Sequence, residues 1–202
     1  MRRVLSLLCL TFLLAACGAG PQLSPLGPDA VILAFGDSLT QGTGAGIDQS
    51  YPAVLSRRIH RTVVNAGVAG EESAEGLARL PGVLAEVQPD LVLLCHGGND
   101  LLRQRSVERL RSNLRAMVEQ ARAGGAEVVL IGVPKPGLFL GTHPLYRELA
   151  DELGIPVEDE ALGDILGDAD LKSDTIHPNA DGYAALAEAV RGVLVRAGAL
   201  GD

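Results

Sequence analysis

Short apolar stretches alternate with amphipathic stretches along most of this chain. The apolar stretches are continuous, as in strands buried on both faces of a parallel sheet, and they lie at residues 30–35, 62–65, 91–95, 128–131 and, more weakly, 155–157. Helical spacing of apolar positions covers residues 53–59, 73–80, 107–123, 145–153 and 180–196. Strands that alternate with helices form βαβ units. We therefore expect an α/β fold, a three-layer α/β/α sandwich around a parallel five-stranded sheet.

The first residues have the pattern of an export signal. Arg2 and Arg3 precede an apolar run at residues 4–14, which is too short to span a bilayer. The tetrapeptide Leu14-Ala15-Ala16-Cys17 that follows resembles a bacterial lipobox, in which the cysteine becomes the lipidated first residue of the mature protein. An ordinary cleavable signal with a chance cysteine is the alternative.

These features predict how the chain is divided and where it acts. We expect a lipoprotein signal peptide at 1–16, a flexible tether at 17–29 that begins with the lipidated Cys17, and one domain at 30–198. The tether segment carries glycine, three prolines and no periodicity. The lipid anchor would hold the protein in the bacterial cell envelope outside the cytoplasm, facing the periplasm or at the outer membrane.

Composition narrows the class of partner. The formal net charge of −8 disfavours a polyanion, and an aromatic content of 3% without tryptophan provides no stacking platform for single-stranded nucleic acid. We therefore expect no nucleic-acid partner. Cys95 would be the one cysteine of the domain, so no internal disulfide is expected there, and we interpret it as a small buried hydrophobe.

Three polar clusters occupy the places where an α/β sheet binds ligands, beyond the carboxyl ends of its strands. Ser38, in Gly-Asp-Ser-Leu-Thr, follows the first strand, and its own N–H could face a developing oxyanion. Asn99, in Gly-Gly-Asn-Asp, follows the third strand and could donate from its amide. His177 stands just before the last helix, where Asp174 can orient its imidazole as a base.

In this order, the clusters resemble the SGNH/GDSL hydrolase superfamily, and above all its bacterial thioesterase I/lysophospholipase L1 (arylesterase) subgroup. The resemblance implies a flavodoxin-like fold and a catalytic triad of Ser38, Asp174 and His177. It also implies an oxyanion hole formed by Ser38, a glycine and Asn99. That glycine belongs to the segment 63–73, where Gly70 matches the family pattern best and Gly67 is the weaker choice. The implied chemistry requires no metal and no cofactor.

Two places depart from the subgroup. His96 precedes the Gly-Gly pair where an apolar or small residue is usual; it could approach the site or be a buried core histidine. The segment 134–144 matches poorly, and we expect it to line the acyl pocket. Of the other histidines, His60 is expected on a solvated helix face, whereas His143 lies in a loop where contact with substrate is the less favoured alternative.

The predicted function is a serine hydrolase that cleaves carboxylic esters, with thioesters as further substrates. Its expected partners are a small acyl ester or lysophospholipid and, through the N-terminal lipid, a membrane; the protein itself is expected to be a monomer. A carbohydrate O-acetylesterase is the rival within the enzyme class. A non-catalytic lipoprotein that binds a lipid or a glycan is the rival outside it.

Overall fold

The structure is a computed structural model that describes residues 20–137 and 141–201. The predicted signal peptide and Cys17 lie outside these residues. The strands are β1 (Val31–Gly36), β2 (Thr62–Gly67), β3 (Leu91–Cys95), β4 (Glu127–Ile131) and β5 (Val157–Glu158). The helices are α1 (Ser38–Gln41), α2 (Tyr51–Ile59), α3 (Ser73–Val87), α4 (Gly98–Leu102), α5 (Val107–Ala123), α6 (Leu145–Leu153), α7 (Ala161–Gly167) and α8 (Ala180–Arg196).

The five strands form one parallel sheet in the order β2-β1-β3-β4-β5. Strands β1, β3 and β4 are almost wholly buried, because helices cover both faces. Helices α2 and α8 pack together on one face, and α3, α5 and α6 pack together on the other, as right-handed crossovers between parallel strands require. The predicted three-layer α/β/α fold with a parallel five-stranded sheet is confirmed.

Helix α3 is longer than its sequence pattern indicates. A proline ordinarily ends or kinks a helix, since it cannot donate to the preceding turn. Here Pro81 lies inside α3, which continues to Val87. Pro81 is exposed while its neighbour Leu80 is fully buried. The buried face of the helix therefore holds the turns after Pro81 in place, while the proline ring itself lies on the exposed face.

The segment predicted as a flexible tether is partly docked on the domain, which corrects that expectation. The backbone N–H groups of Leu23 and Leu26 donate to the carbonyls of Ala197 and Ala199, each at 2.8 Å, and Leu23 is buried. Ser24 N–H also donates to the Glu127 carboxylate at 2.9 Å. The attached chain therefore begins at Leu23, on the edge of the sheet where the strands start. Across residues 20–137 and 141–201, no helix is both long enough and apolar enough to cross a bilayer.

Candidate active site

The predicted site residues meet at the edge where the strands end. Ser38, Gly70 and Asn99 come after β1, β2 and β3, and His177 comes shortly before α8. All four line one cavity of about 250 Å³. The fold therefore brings together residues that lie as far as 139 positions apart in the chain.

Ser38 is the first residue of α1, and the residue before it caps this helix. Asp37 accepts the Leu39 N–H on its Oδ1 at 3.1 Å. Gly36 ends β1, and a Cβ there would lie 2.0 Å from the Cys95 carbonyl oxygen. Glycine at this position lets β1 and β3 approach closely just before the serine.

His177 links the serine to a carboxylate. Its Nε2 lies 3.0 Å from Ser38 Oγ, and its Nδ1 lies 2.8 Å from Asp174 Oδ2. A proton on Nδ1 that is donated to Asp174 leaves Nε2 free to accept the serine proton. Partial burial alone would raise the pKa of Asp174, but hydrogen bonds from the His177 side chain and from the N–H groups of Ile176 and His177 hold that pKa below its ordinary value.

The loop that carries His177 is held by its own backbone and by a neighbouring loop. Ser173 N–H donates to the His177 carbonyl at 2.9 Å, and Asn179 N–H donates to the Leu171 carbonyl at 2.9 Å. The loop after α1 packs against it at Gly44, where a Cβ would come within 2.1 Å of Ser173 Oγ. This packing fixes the imidazole relative to Ser38.

The geometry distinguishes the two candidate glycines. Gly67 N–H donates to Asn65 Oδ1 at 2.9 Å, and a Cβ on Gly67 would collide with the backbone of α1. Gly70 instead lines the cavity in a left-handed conformation with φ of +79°. Within the described part of the chain, nothing accepts a hydrogen bond from Gly70 N–H. This arrangement favours Gly70 as the oxyanion donor.

Asn99 faces the same cavity and binds the segment that follows Gly70. Its Nδ2 donates to the Glu71 carbonyl at 3.0 Å and lies 3.5 Å from Asp37 Oδ2, a contact at the limit of hydrogen bonding. An amide nitrogen carries two hydrogens, and the one that has only the weak contact with Asp37 is available to a ligand. Burial raises the pKa of Asp37, although nearby His96 and the N–H groups of Leu39 and Gly98 oppose that shift.

Two buried carboxylates beside the site, Asp37 and Glu71, were not singled out from the sequence. The capping position of Asp37 ahead of a short helix was a usable local signal. Glu71 offered none, since its partner His96 is 25 residues away. His96 itself proves to be fully buried, with its Nε2 3.1 Å from Glu71 Oε2. It therefore contacts the site through Glu71 and does not line the cavity.

Apolar side chains form most of the cavity wall. The expectation that the segment 134–144 lines this pocket is confirmed for its first residues, 134–136. Of the remaining histidines, His143 lies outside the cavity wall, where its Nδ1 accepts the Leu145 N–H at 3.2 Å, and His60 is an exposed residue at the end of α2. The apolar wall residues are Leu39, Ala69, Leu102, Val133, Pro134, Pro136, Leu166 and Ile176.

Comparisons with known proteins agree with this geometry. The sequence model of the GDSL-like Lipase/Acylhydrolase family matches residues 34–185. Esterase TesA of Pseudomonas aeruginosa is 35% identical over 82% of this chain and 88% of its own length. Thioesterase 1/protease 1/lysophospholipase L1 of Escherichia coli is 32% identical over 78% of this chain and 79% of its own. A crystal structure of TesA superposes with a TM-score of 0.75 at 34% identity, over 81% of this chain and 97% of that one. The chain belongs to the GDSL-like lipase/acylhydrolase family.

Proposed function

We propose that this protein, a serine hydrolase of carboxylic esters, works through a covalent acyl intermediate on Ser38. The observation that carries the proposal is the unbroken chain of contacts from Ser38 Oγ through His177 to Asp174, with spacings of 3.0 and 2.8 Å at the wall of an apolar cavity. A nucleophile, a base and a group that orients the base are what acyl transfer requires.

In the first step, His177 Nε2 takes the proton of Ser38 as Oγ attacks the ester carbonyl. The negative charge that develops on the carbonyl oxygen is stabilised by the N–H groups of Ser38 and Gly70 and by the amide of Asn99. The imidazolium then gives its proton to the departing alcohol. Asp174 stabilises that cation and remains ionised throughout.

In the second step, His177 takes a proton from water, and the resulting hydroxide equivalent attacks the acyl-serine. The same donors hold the second tetrahedral intermediate. Its collapse returns the proton to Ser38 Oγ and releases the carboxylic acid. A thioester would follow the same course with a thiol as the leaving group.

The cavity favours a single acyl chain over a bulky diacyl lipid. Its volume of about 250 Å³ is below the range of roughly 300–1,000 Å³ typical of drug-sized ligands. Leu102 and Ile176 line it and remain 43% and 38% exposed, so they offer an apolar surface at its mouth. We infer that lysophospholipids and other single-chain esters are the substrates. One of the relatives bears the name lysophospholipase L1.

We also propose that Cys17 carries lipid. The orientation of the domain relative to the membrane would then support single-chain esters as substrates. The docked chain starts at Leu23, on the edge of the sheet opposite to Ser38. Residues 17–22 can span about 20 Å at most, which is similar to the length of a six-residue strand. The cavity would therefore open away from the anchoring membrane, toward esters that arrive from water. Loss of membrane retention in Cys17→Ala would support the anchor, and retention of that variant would oppose it.

The test of the function is a chain-length series of p-nitrophenyl esters, from acetate to long acyl groups, with the full-length protein. We expect turnover that peaks above acetate and disappears in Ser38→Ala. Ser112→Ala, which changes an exposed serine of α5, is the matched control and should keep full activity. Turnover of acetate alone would favour an O-acetylesterase. A folded protein without turnover on any ester would favour a binding protein and overturn the proposal.

A further inference from the structure

A cluster of charged and polar side chains lies buried behind the oxyanion side of the cavity. It contains Glu71, Arg79 and His96, whose side chains are 6%, 28% and 0% exposed. None of the three lines the cavity. The acyl-transfer steps do not use these groups directly, so their burial needs another explanation.

Arg79 fixes the carboxylate of Glu71 by two parallel hydrogen bonds, from Nε to Oε1 and from Nη2 to Oε2, each of 2.8 Å. The guanidinium also donates to the Ala66 carbonyl at 3.1 Å and stacks 4.2 Å above the centre of the Phe35 ring. Since Phe35 belongs to β1 and Ala66 to β2, Glu71 is tied to the rigid sheet.

His96 supplies the third hydrogen bond to the same carboxylate, from Nε2 to Oε2. Burial opposes the ionisation of Glu71, but the hydrogen bonds from Arg79 and His96 prevail and lower its pKa to about 2. An ionised carboxylate only accepts, so Nε2 must carry the proton. The other ring nitrogen, Nδ1, is buried without a partner in the described part of the chain. An apolar residue here would avoid this unfavourable burial, so the contact with Glu71 is the feature that accounts for a histidine.

Glu71 touches both oxyanion donors that lie outside α1. It directly follows Gly70, and its carbonyl accepts the amide of Asn99 at 3.0 Å. His96 directly follows β3 and lies three residues before Asn99, with two glycines between them. A displacement of the Glu71 carboxylate would therefore move Gly70 N–H and the Asn99 amide together.

We propose that His96 and Arg79 act through Glu71 as positioning residues, holding Gly70 N–H and the Asn99 amide where the oxyanion forms. This inference rests on the proposed function. Donors that are fixed before the reaction stabilise the transition state without reorganisation, and small misplacements are costly.

The first experiment replaces His96 by leucine and by glutamine. His96→Leu removes the donor to Glu71, whereas His96→Gln can place an amide N–H near the position of Nε2. We expect His96→Leu to lower kcat about tenfold with KM nearly unchanged, less than the loss of a whole oxyanion donor, and His96→Gln to recover most of it. Active-site titration with a fluorophosphonate gives kcat per functional site, so misfolded protein does not enter the comparison.

The second experiment disturbs the cluster without changing its members. Gly76, in the first turns of α3, has no room for a Cβ, which would lie 2.4 Å from His96 Nε2 and 3.2 Å from Glu71 Oε2. Gly82, in the same helix, has room: nothing lies within 4 Å of a Cβ built on Gly82. We expect Gly76→Ala to lower kcat by a factor similar to that of His96→Leu, and Gly82→Ala to leave kcat unchanged.

Coupling to Asn99 separates positioning from general stability. If His96 acts through the oxyanion donors, adding His96→Leu to Asn99→Ala should lower kcat by much less than the product of the two single effects. Full multiplication of the effects, or wild-type kcat per site in both His96→Leu and Gly76→Ala, would overturn the inference. Either result would leave the proposed function standing, because that function fails only if the wild-type protein has no Ser38-dependent turnover.

Discussion

The two sides of the active site are built in different ways. On the acid–base side, Asp174 and His177 are three residues apart, and the Asp174 side chain is 52% exposed. On the oxyanion side, Glu71 is 6% exposed and binds His96 and Asn99, which lie 25 and 28 residues away in the chain. The first side is a local loop motif, whereas the second depends on the packing of the sheet and α3.

This difference indicates how each side should respond to change. Water can reach Asp174 and stabilise a neighbouring cation when the carboxylate is removed. Water cannot reach the cluster around Glu71 in the same way, so a lost partner leaves a buried group unpaired. We expect the acid–base side to tolerate loss of its carboxylate better than the oxyanion side tolerates loss of a donor.

The largest effect is expected for His177→Ala. Without a base at Nε2, Ser38 cannot lose its proton during attack, and kcat should fall by about 10⁴-fold or more. His60→Asn is the control, because it removes an exposed histidine from a left-handed position that asparagine tolerates. Steady-state assays with p-nitrophenyl esters measure both. A reduction of less than tenfold in His177→Ala would assign the base elsewhere.

Asn99→Ala should have the next largest effect. Removal of one oxyanion donor costs about 10²–10³ in kcat, while KM should change little because the amide acts on the charge of the transition state. The hydrogen bond to the Glu71 carbonyl is lost as well, so thermal unfolding should shift down by the equivalent of about 1 kcal/mol. An unchanged kcat would remove Asn99 from the oxyanion hole.

Asp174→Asn should reduce kcat by a smaller factor than Asn99→Ala, and by less than the roughly 10⁴-fold loss known for a buried triad aspartate, because its exposed position lets solvent stabilise the imidazolium. Asp181→Asn, at an exposed position in the first turn of α8, is the matched control. The order of the two effects tests the comparison itself. A greater loss in Asp174→Asn than in Asn99→Ala would show that the exposed side is the more sensitive one.

The smallest effect concerns stability in acid. The folded-state pKa of Glu71, about 2, is below its ordinary value of 4.5. Its ion pair therefore contributes stability that is present above about pH 4.5 and is lost as the pH falls toward 2. The difference in Tm between wild type and Glu71→Gln should be largest at neutral pH and shrink over that interval. A difference independent of pH would mean that the charge of Glu71 does not stabilise the fold.

The sequence predicted the parts that rest on local patterns. Continuous apolar stretches predicted the strands, and the position of Ser38 after the first of them placed it at the edge of the sheet. Asp174 and His177 could be paired because they lie only three positions apart in the chain. The glycine required the family pattern, since nothing in the spacing separates Gly67 from Gly70; the hydrogen bond of Gly67 to Asn65 exists only in the fold.

The remaining features depend on contacts that no local pattern contains. His96 could be interpreted as a core residue or as a site residue, and it proved to be a buried partner of Glu71. The prolines and glycine before β1 indicated a flexible tether. The hydrogen bonds that dock this segment go to Ala197 and Ala199, more than 170 positions away in the chain, so no local pattern could predict them. Helix α3 was predicted to end before Pro81, and the exposure of that proline allows it to continue.

The most direct test of the central claim is covalent labelling. A fluorophosphonate reacts with an activated serine by attack of Oγ on phosphorus and loss of fluoride, and peptide mass spectrometry locates the adduct. We predict one label per chain, on Ser38, that is absent in Ser38→Ala and forms far more slowly in His177→Ala. A label on another residue, or labelling of Ser38 at the same rate without His177, would contradict the account.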